Sequence, residues 1–354
     1  MRKDIITIVF ILMALSLGTV YILFSLSRPD KTIRNGFTRT FHPDKILKKQ
    51  KHIGLKYNSF YVAGNTRHGI YLGNSEGPRH LLWASTTLDT THLVYSLENP
   101  DRLKFGSVRV KVDSPYFYML DGTGGSIFKG ILKELIAFPF VATNNYFLEA
   151  IPSGRSTFAI KSLMKADNEM SLGQITTKPL HFKFHPEILK KQIDGIFCKE
   201  GMMEFNNQIS RLIYTYHYRN QFIVMDSNLQ VIYKGQTIDT TSVAKVKILE
   251  SSTHGFRAPA SPPVMVNKTF SVNENYLFIN SGLVADNEDR KLFDNNSVID
   301  VYELTRGKYL YSFYIPNHLN KRLSHFRVLR DVVVVLFARD LISFIYTSPI
   351  HAEP

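Results

Sequence analysis

Five arginines recur in short polar turns between apolar runs: Arg67, Arg155, Arg219 and Arg339 in hairpin-like turns, and Arg290 in a longer loop. The turn of one further copy, "DGTGG", carries none. A guanidinium presents a planar fork of donors that matches a carboxylate or phosphate, and several on one rim would make a strong anion site. Their convergent field would draw anions toward it. Arginine is also common in polar turns, so the spacing alone does not separate a ring from coincidence. His217 in "YTYHYRNQF" (214–222) and His68 beside Arg67 are the secondary candidates, placed to supply acid–base groups if the site is catalytic.

Other residue types offer less. Cys198 is the sole cysteine, which excludes an internal disulfide and a multi-cysteine zinc site. Lys199 beside it would lower a thiol pKa, but the apolar Ile196–Phe197 context reads as a buried, inert position. His181 and His185 in "HFKFHP" alternate as a strand does and have no carboxylate cluster in their sequence neighbourhood, so no metal site is expected and no cofactor is implied. The acid-rich "ADNEDRKLFDNN" lacks the ligand order of a calcium loop and reads as a solvated loop. "GTGGS" lacks the lysine and helix of a P-loop and reads as a hairpin turn.

The elements that carry these residues are strands. The chain has 354 residues, and its 18 Tyr and 25 Phe favour a pleated surface. A unit of strand, short polar turn and strand recurs at 59–74, 116–130, 146–162, 212–226, 276–304 and 332–346. Further strands flank several copies: "SVRVKV" and "RLSHFRV" before the second and last, "LQVIYKG" and "YLYSFYI" after the fourth and fifth. Four strands in each of six copies predict an all-β, six-bladed β-propeller over residues 52–348, with 349–354 as a tail. A sandwich, or a seventh blade with weak strands hidden in 176–200, are the competing arrangements. "HPEILKKQ" (185–192) is the clearest helical stretch. The last copy lacks an outer strand, which predicts that chain following the N-terminal linker completes it and removes an exposed sheet edge.

Residues 5–26 carry no charge and reach the ~20 residues that span a bilayer, so residues 1–26 read as an uncleaved membrane anchor. Much of the net charge of +13 sits just after it, in Arg28, Lys31, Arg34, Arg39, Lys45, Lys48, Lys49, Lys51 and Lys56 against Asp30 and Asp44. Residues 27–51 therefore read as a basic juxtamembrane linker, with a helical turn or two in "HPDKILKKQ", facing anionic lipid headgroups and not nucleic acid. Counted literally, the positive-inside rule would keep the large domain in the cytoplasm. The anchor's place at the extreme N-terminus favours a single-pass protein of the inner membrane with a periplasmic domain, since long domains translocate largely regardless of charge.

The runs "KKQIDGIFCKEGMMEFNNQISRLIYTYHYRNQFIVMDSNLQVIYKGQTIDTTS" and "SVIDVYELTRGKYLYSFYIP" resemble an uncharacterised Bacteroidota family of membrane-anchored, propeller-like proteins. The similarity covers most of residues 50–347 and is strongest from 190 to 316. It implies an envelope location and a propeller, and brings no activity with it. The expected function is a tethered extracytoplasmic module that binds a protein partner or an anionic small molecule on its turn face. A lyase or hydrolase housed in the propeller, or an accessory to an envelope redox system, are the alternatives.

Overall fold

The computed structural model describes residues 2–27, 34–42, 46–103, 106, 108–143, 145–250 and 257–349. It comprises two units, residues 1–35 and 36–354. The first is the helix Arg2–Ser27, whose stretch Ile5–Leu23 has a mean hydropathy of 2.5 and is long and apolar enough to cross a membrane.

The second unit is a six-bladed propeller. Strands A to D run from the axis outward in every blade. Blade 1 is Phe60–Thr66, Gly69–Asn74, His80–Ser85 and Thr90–Val94. Blade 2 is Val108–Asp113, Tyr116–Asp121, Ser126–Ile131 and Ile136–Ala142, to which Ser96–Leu97 adds in parallel. Blade 3 is Glu149–Gly154, Thr157–Leu163, Met170–Thr177 and Leu180–His185. Blade 4 is Gly201–Asn206, Arg211–Tyr216, Gln221–Met225 and Val231–Gln236. Blade 5 is Asn267–Asn273, Tyr276–Ser281, Asn296–Glu303 and Lys308–Pro316. Blade 6 takes only A to C from the C-terminal end: His325–Leu329, Val332–Phe337 and Asp340–Tyr346. Its D strand is Leu47–Gly54, antiparallel to Asp340–Tyr346. The A strands touch in sequence around the axis, and the A strand of blade 6 meets that of blade 1, so the ring is closed.

Period-2 alternation explains the packing. In Val332–Phe337, Val333, Val335 and Phe337 join the core shared with blade 5, while Val334 and Leu336 join the core shared with blade 1. Leu212, Tyr214 and Tyr216 face blade 3, and Ile213 faces blade 5. A strand buried on both faces must read as a near-continuous apolar run, as "VVVVLF" does. Every neighbouring pair of blades has its own core of this kind. Near the axis the backbones crowd: a Cβ on Gly64 would lie 2.2 Å from the Val112 carbonyl oxygen of the next blade, so glycine is required there.

Three sequence expectations change. Residues 176–200 hold no seventh blade, because Met170–Thr177 and Leu180–His185 are the outer strands of blade 3. "HPEILKKQ" forms turns and bends after that blade, with Ile188 and Leu189 buried; so short a segment gains too little from helical hydrogen bonds. The basic segment is more than a linker, and "HPDKILKKQ" is not helical among the described residues, since Leu47–Gly54 is a strand and Gly36–His42 packs along blade 5. There Phe41 bridges Ser312 and stacks on Tyr314 at 4.6 Å. Arg39, 3% exposed, grips Asp300 through Nε (2.7 Å) and Nη2 (3.1 Å), donates to the Leu283 carbonyl (3.0 Å) and pairs with Glu288. Its charge is spent inside the fold, not on lipid.

Candidate functional site

Consecutive turns of an antiparallel blade alternate between its two ends. The A–B and C–D turns therefore share one face of the disc, and the B–C turns and blade-to-blade connections share the other. Arg67 and Arg155 lie in the A–B turns of blades 1 and 3, whereas Arg219 and Arg339 lie in the B–C turns of blades 4 and 6. Arg290 lies in the short helix Arg290–Asn295 within the B–C connection of blade 5. The five arginines thus divide between opposite faces, and the ring does not form. Hairpins look alike in sequence whichever two strands they join: the first and third copies span strands A and B, the other four strands B and C.

Arg219, the recurring residue of the "YTYHYRNQF" stretch, is 2% exposed. Its guanidinium carbon sits 3.6 Å from the Tyr216 ring centre, and Nη1 donates to the Lys190 carbonyl at 3.2 Å. It is a packed residue of the blade 4 edge. Arg290 pairs with Asp294 one helical turn on (3.1 Å), while Arg155 and Arg339 are exposed turn residues. His217 is mostly buried, with Nδ1 against the Asn267 carbonyl at 2.8 Å, and burial pulls its pKa down. His68 is exposed on the other face, where Nε2 accepts from Arg67 Nε at 2.9 Å. The two histidines therefore cannot serve one site. Cys198 is buried, its thiol directed at the Asp194 carbonyl.

Of the predicted residues, Arg67 alone lines the large axial cavity. This funnel, of about 740 Å³, is walled by the C-terminal halves of all six A strands and opens on the A–B face. Its charged lining is Arg67, Lys111, Arg327 and Arg330 with Asp113, Glu204, Glu274 and Asp331. Arg327 reaches past blade 5, donating to the Phe270 carbonyl (3.3 Å), to pair with Glu204 of blade 4 at 3.3 Å. Its Nε is buried without a hydrogen-bond partner among the described residues. Lys111 pairs with Glu149 (3.4 Å), which also faces Lys161 (3.8 Å), and Lys161 pairs with Glu200 (2.8 Å). This chain of ion pairs stitches blades 2, 3 and 4 together around the axis.

The funnel lining carries four cations and four acids, and burial acts on two of the acids. Burial pushes the Glu204 carboxyl above its ordinary range, with Arg327 and Lys111 opposing the shift. Burial likewise raises Asp113, which accepts from Asn207 at 2.7 Å. Arginine, by contrast, stays charged in proteins. His325, at the start of the blade 6 A strand, is driven down to about 4 by burial and by Arg327, Lys111 and Arg109, and so is a neutral imidazole at neutral pH. Lys111, Glu204, His325 and Arg327 escaped the sequence reading. Their signal was present as charged residues on apolar A strands, as in "SVRVKV" and "RLSHFRV", where one side must face the channel.

No protein-family model matches the chain, and no curated protein matches it. Solved structures do. A member of the DUF4221 family from Bacteroides vulgatus superposes with a TM-score of 0.54 at 12% identity, covering 85% of this chain and 97% of that one. A catalytically inactive virginiamycin B lyase from Staphylococcus aureus, solved with quinupristin, gives 0.49 at 9% identity over 85% and 100%. The WD40 propeller domain of Doa1 gives 0.42 at 9% identity over 87% and 99%. At these identities the first similarity establishes the propeller fold and nothing further.

Proposed function

We propose that this chain is a membrane-tethered, extracytoplasmic propeller that binds an anionic segment of a partner protein in its axial funnel. The observation that carries the reading is the funnel itself. It is a wide, polar cavity with cations at its rim (Arg67, Arg330) and deeper in its wall (Lys111, Arg327), interleaved with the acids Asp113, Glu204, Glu274 and Asp331. An acidic peptide would exchange hydration for charge-assisted bonds to the guanidinium forks of Arg67 and Arg330 at the rim. The apolar helix Ile5–Leu23, long enough to span a bilayer, supports an anchor in the inner membrane, and a periplasmic propeller is consistent with long domains translocating largely regardless of flanking charge.

Cys198 is buried, so a cysteine placed on the surface is chemically distinct. In spheroplasts, Arg67→Cys is expected to react with a membrane-impermeant maleimide and, with a thiol-linked crosslinker, to capture a partner. Arg155→Cys, on the same face but outside the funnel lining, should label equally without capturing it. Absence of labelling would contradict the orientation, and equal capture by both would contradict the funnel.

A further inference from the structure

A second constellation lies at the outer seam of blade 6, on the B–C face and away from the funnel. His52 sits on Leu47–Gly54, the strand that closes the ring. Asp340 opens the neighbouring strand Asp340–Tyr346, and because Gly54 pairs with Asp340 and His52 with Ile342, His52 and Asp340 share one side of the sheet. His318 comes from the connection between blades 5 and 6, held in a tight turn by reciprocal backbone bonds with Lys321. One donor atom from each of the three residues lies within 4.8 Å of the other two.

Hydrogen bonding explains only part of this cluster. His52 Nε2 and Asp340 Oδ1 are 2.8 Å apart, an ordinary pair. His318 Nε2 lies 3.8 Å from the same Oδ1, too far to bond, and is buried with no hydrogen-bond partner among the described residues. A buried orphan nitrogen aimed at a shared carboxylate costs free energy unless something sits between them. Metal–donor bonds of ~2.0–2.1 Å in tetrahedral geometry place donor atoms ~3.3 Å apart, between the two separations seen here. Two imidazoles and a carboxylate are the donor set of zinc-class ions that keep a further position for water. His52, at 38% side-chain exposure, leaves that position open to solvent.

We propose that His52, His318 and Asp340 bind a divalent transition-metal ion that clasps the ring-closing strand to blade 6. The ion joins three separate stretches of chain: the strand after the basic segment, the last inter-blade connection and the last hairpin. It therefore acts where closure of the propeller depends on the pairing of distant segments, and it is independent of ligand binding in the funnel.

The test uses the full chain in detergent, purified with a histidine-free tag and stripped with a chelator. Added Co²⁺ should bind one equivalent and produce visible ligand-field bands, and Zn²⁺ should displace it and raise the thermal midpoint. His318→Ala and the more exposed His52→Gln should each lower Zn²⁺ affinity by at least the ~10–100-fold that loss of an outer partner of a metal ligand causes. Both should keep the thermal midpoint of the stripped wild type. Failure of the wild type to bind Co²⁺ stoichiometrically would overturn the proposal. So would binding that His52→Gln, folded as the wild type is, leaves unchanged.

Discussion

Charged groups near the axis, rather than those at the turns, set the chemistry of individual residues in this propeller. His325 shows this most sharply. Its imidazole is neutral in the fold with a pKa of about 4, against ~6.5 in an unfolded chain. Between these values the unfolded state binds more protons, so stability is full above pH ~6.5 and falls as the pH drops toward 4, by up to about 1.4 kcal/mol per unit. Urea unfolding across that range should show the slope, and His325→Gln should flatten it. An unchanged slope would assign the acid sensitivity to other groups. The sequence displayed these residues without revealing their role. Arg219 stood out because it recurs in sister turns, yet it is packed against Tyr216. Arg327 and Glu204 are single charged residues on alternating strands and meet across the channel only in the fold.

Among the elements, the segment read as a linker turns out to be structural twice over. Gly36–His42 lies on blade 5 and Leu47–Gly54 completes blade 6. The need for a closing strand was legible, because the last copy visibly lacks a fourth strand. Its location was not, because "LKKQKHIG" carries lysines that suggest a solvated linker. Those lysines fit an outermost strand, whose exposed edge is protected from further pairing by charge. The same physics misplaced the arginine turns, since period-2 alternation marks a strand but not its distance from the axis. Arg39 tests how tightly the segment is held. Arg39→Ala would leave Asp300 and Glu288 buried without their partner, and should cost ~3–5 kcal/mol. The readout is the denaturation midpoint. A loss below 1 kcal/mol would mean that Gly36–His42 contributes little to the fold.

For the whole molecule, six inter-blade cores close a ring around a charged funnel, and the separate helix Ile5–Leu23 is long and apolar enough to cross a membrane. Fold class and blade number were legible because each blade repeats the same burial problem and solves it with the same alternation. The funnel was not, because its lining gathers residues spaced along the entire chain, from Val62 to Asp331. The most direct measurement is the binding of a fluorescent oligo-aspartate peptide to the full chain in detergent, followed by anisotropy at moderate ionic strength. Wild type should bind with an affinity that declines as salt rises. The funnel-rim double variant Arg67→Glu/Arg330→Glu should weaken binding at least tenfold, ~1.4 kcal/mol, while Arg155→Glu/Arg339→Glu, equal in charge but outside the funnel lining, should leave it unchanged. Equal weakening in both variants would show that net charge, not the funnel, attracts the peptide and would contradict the proposed site.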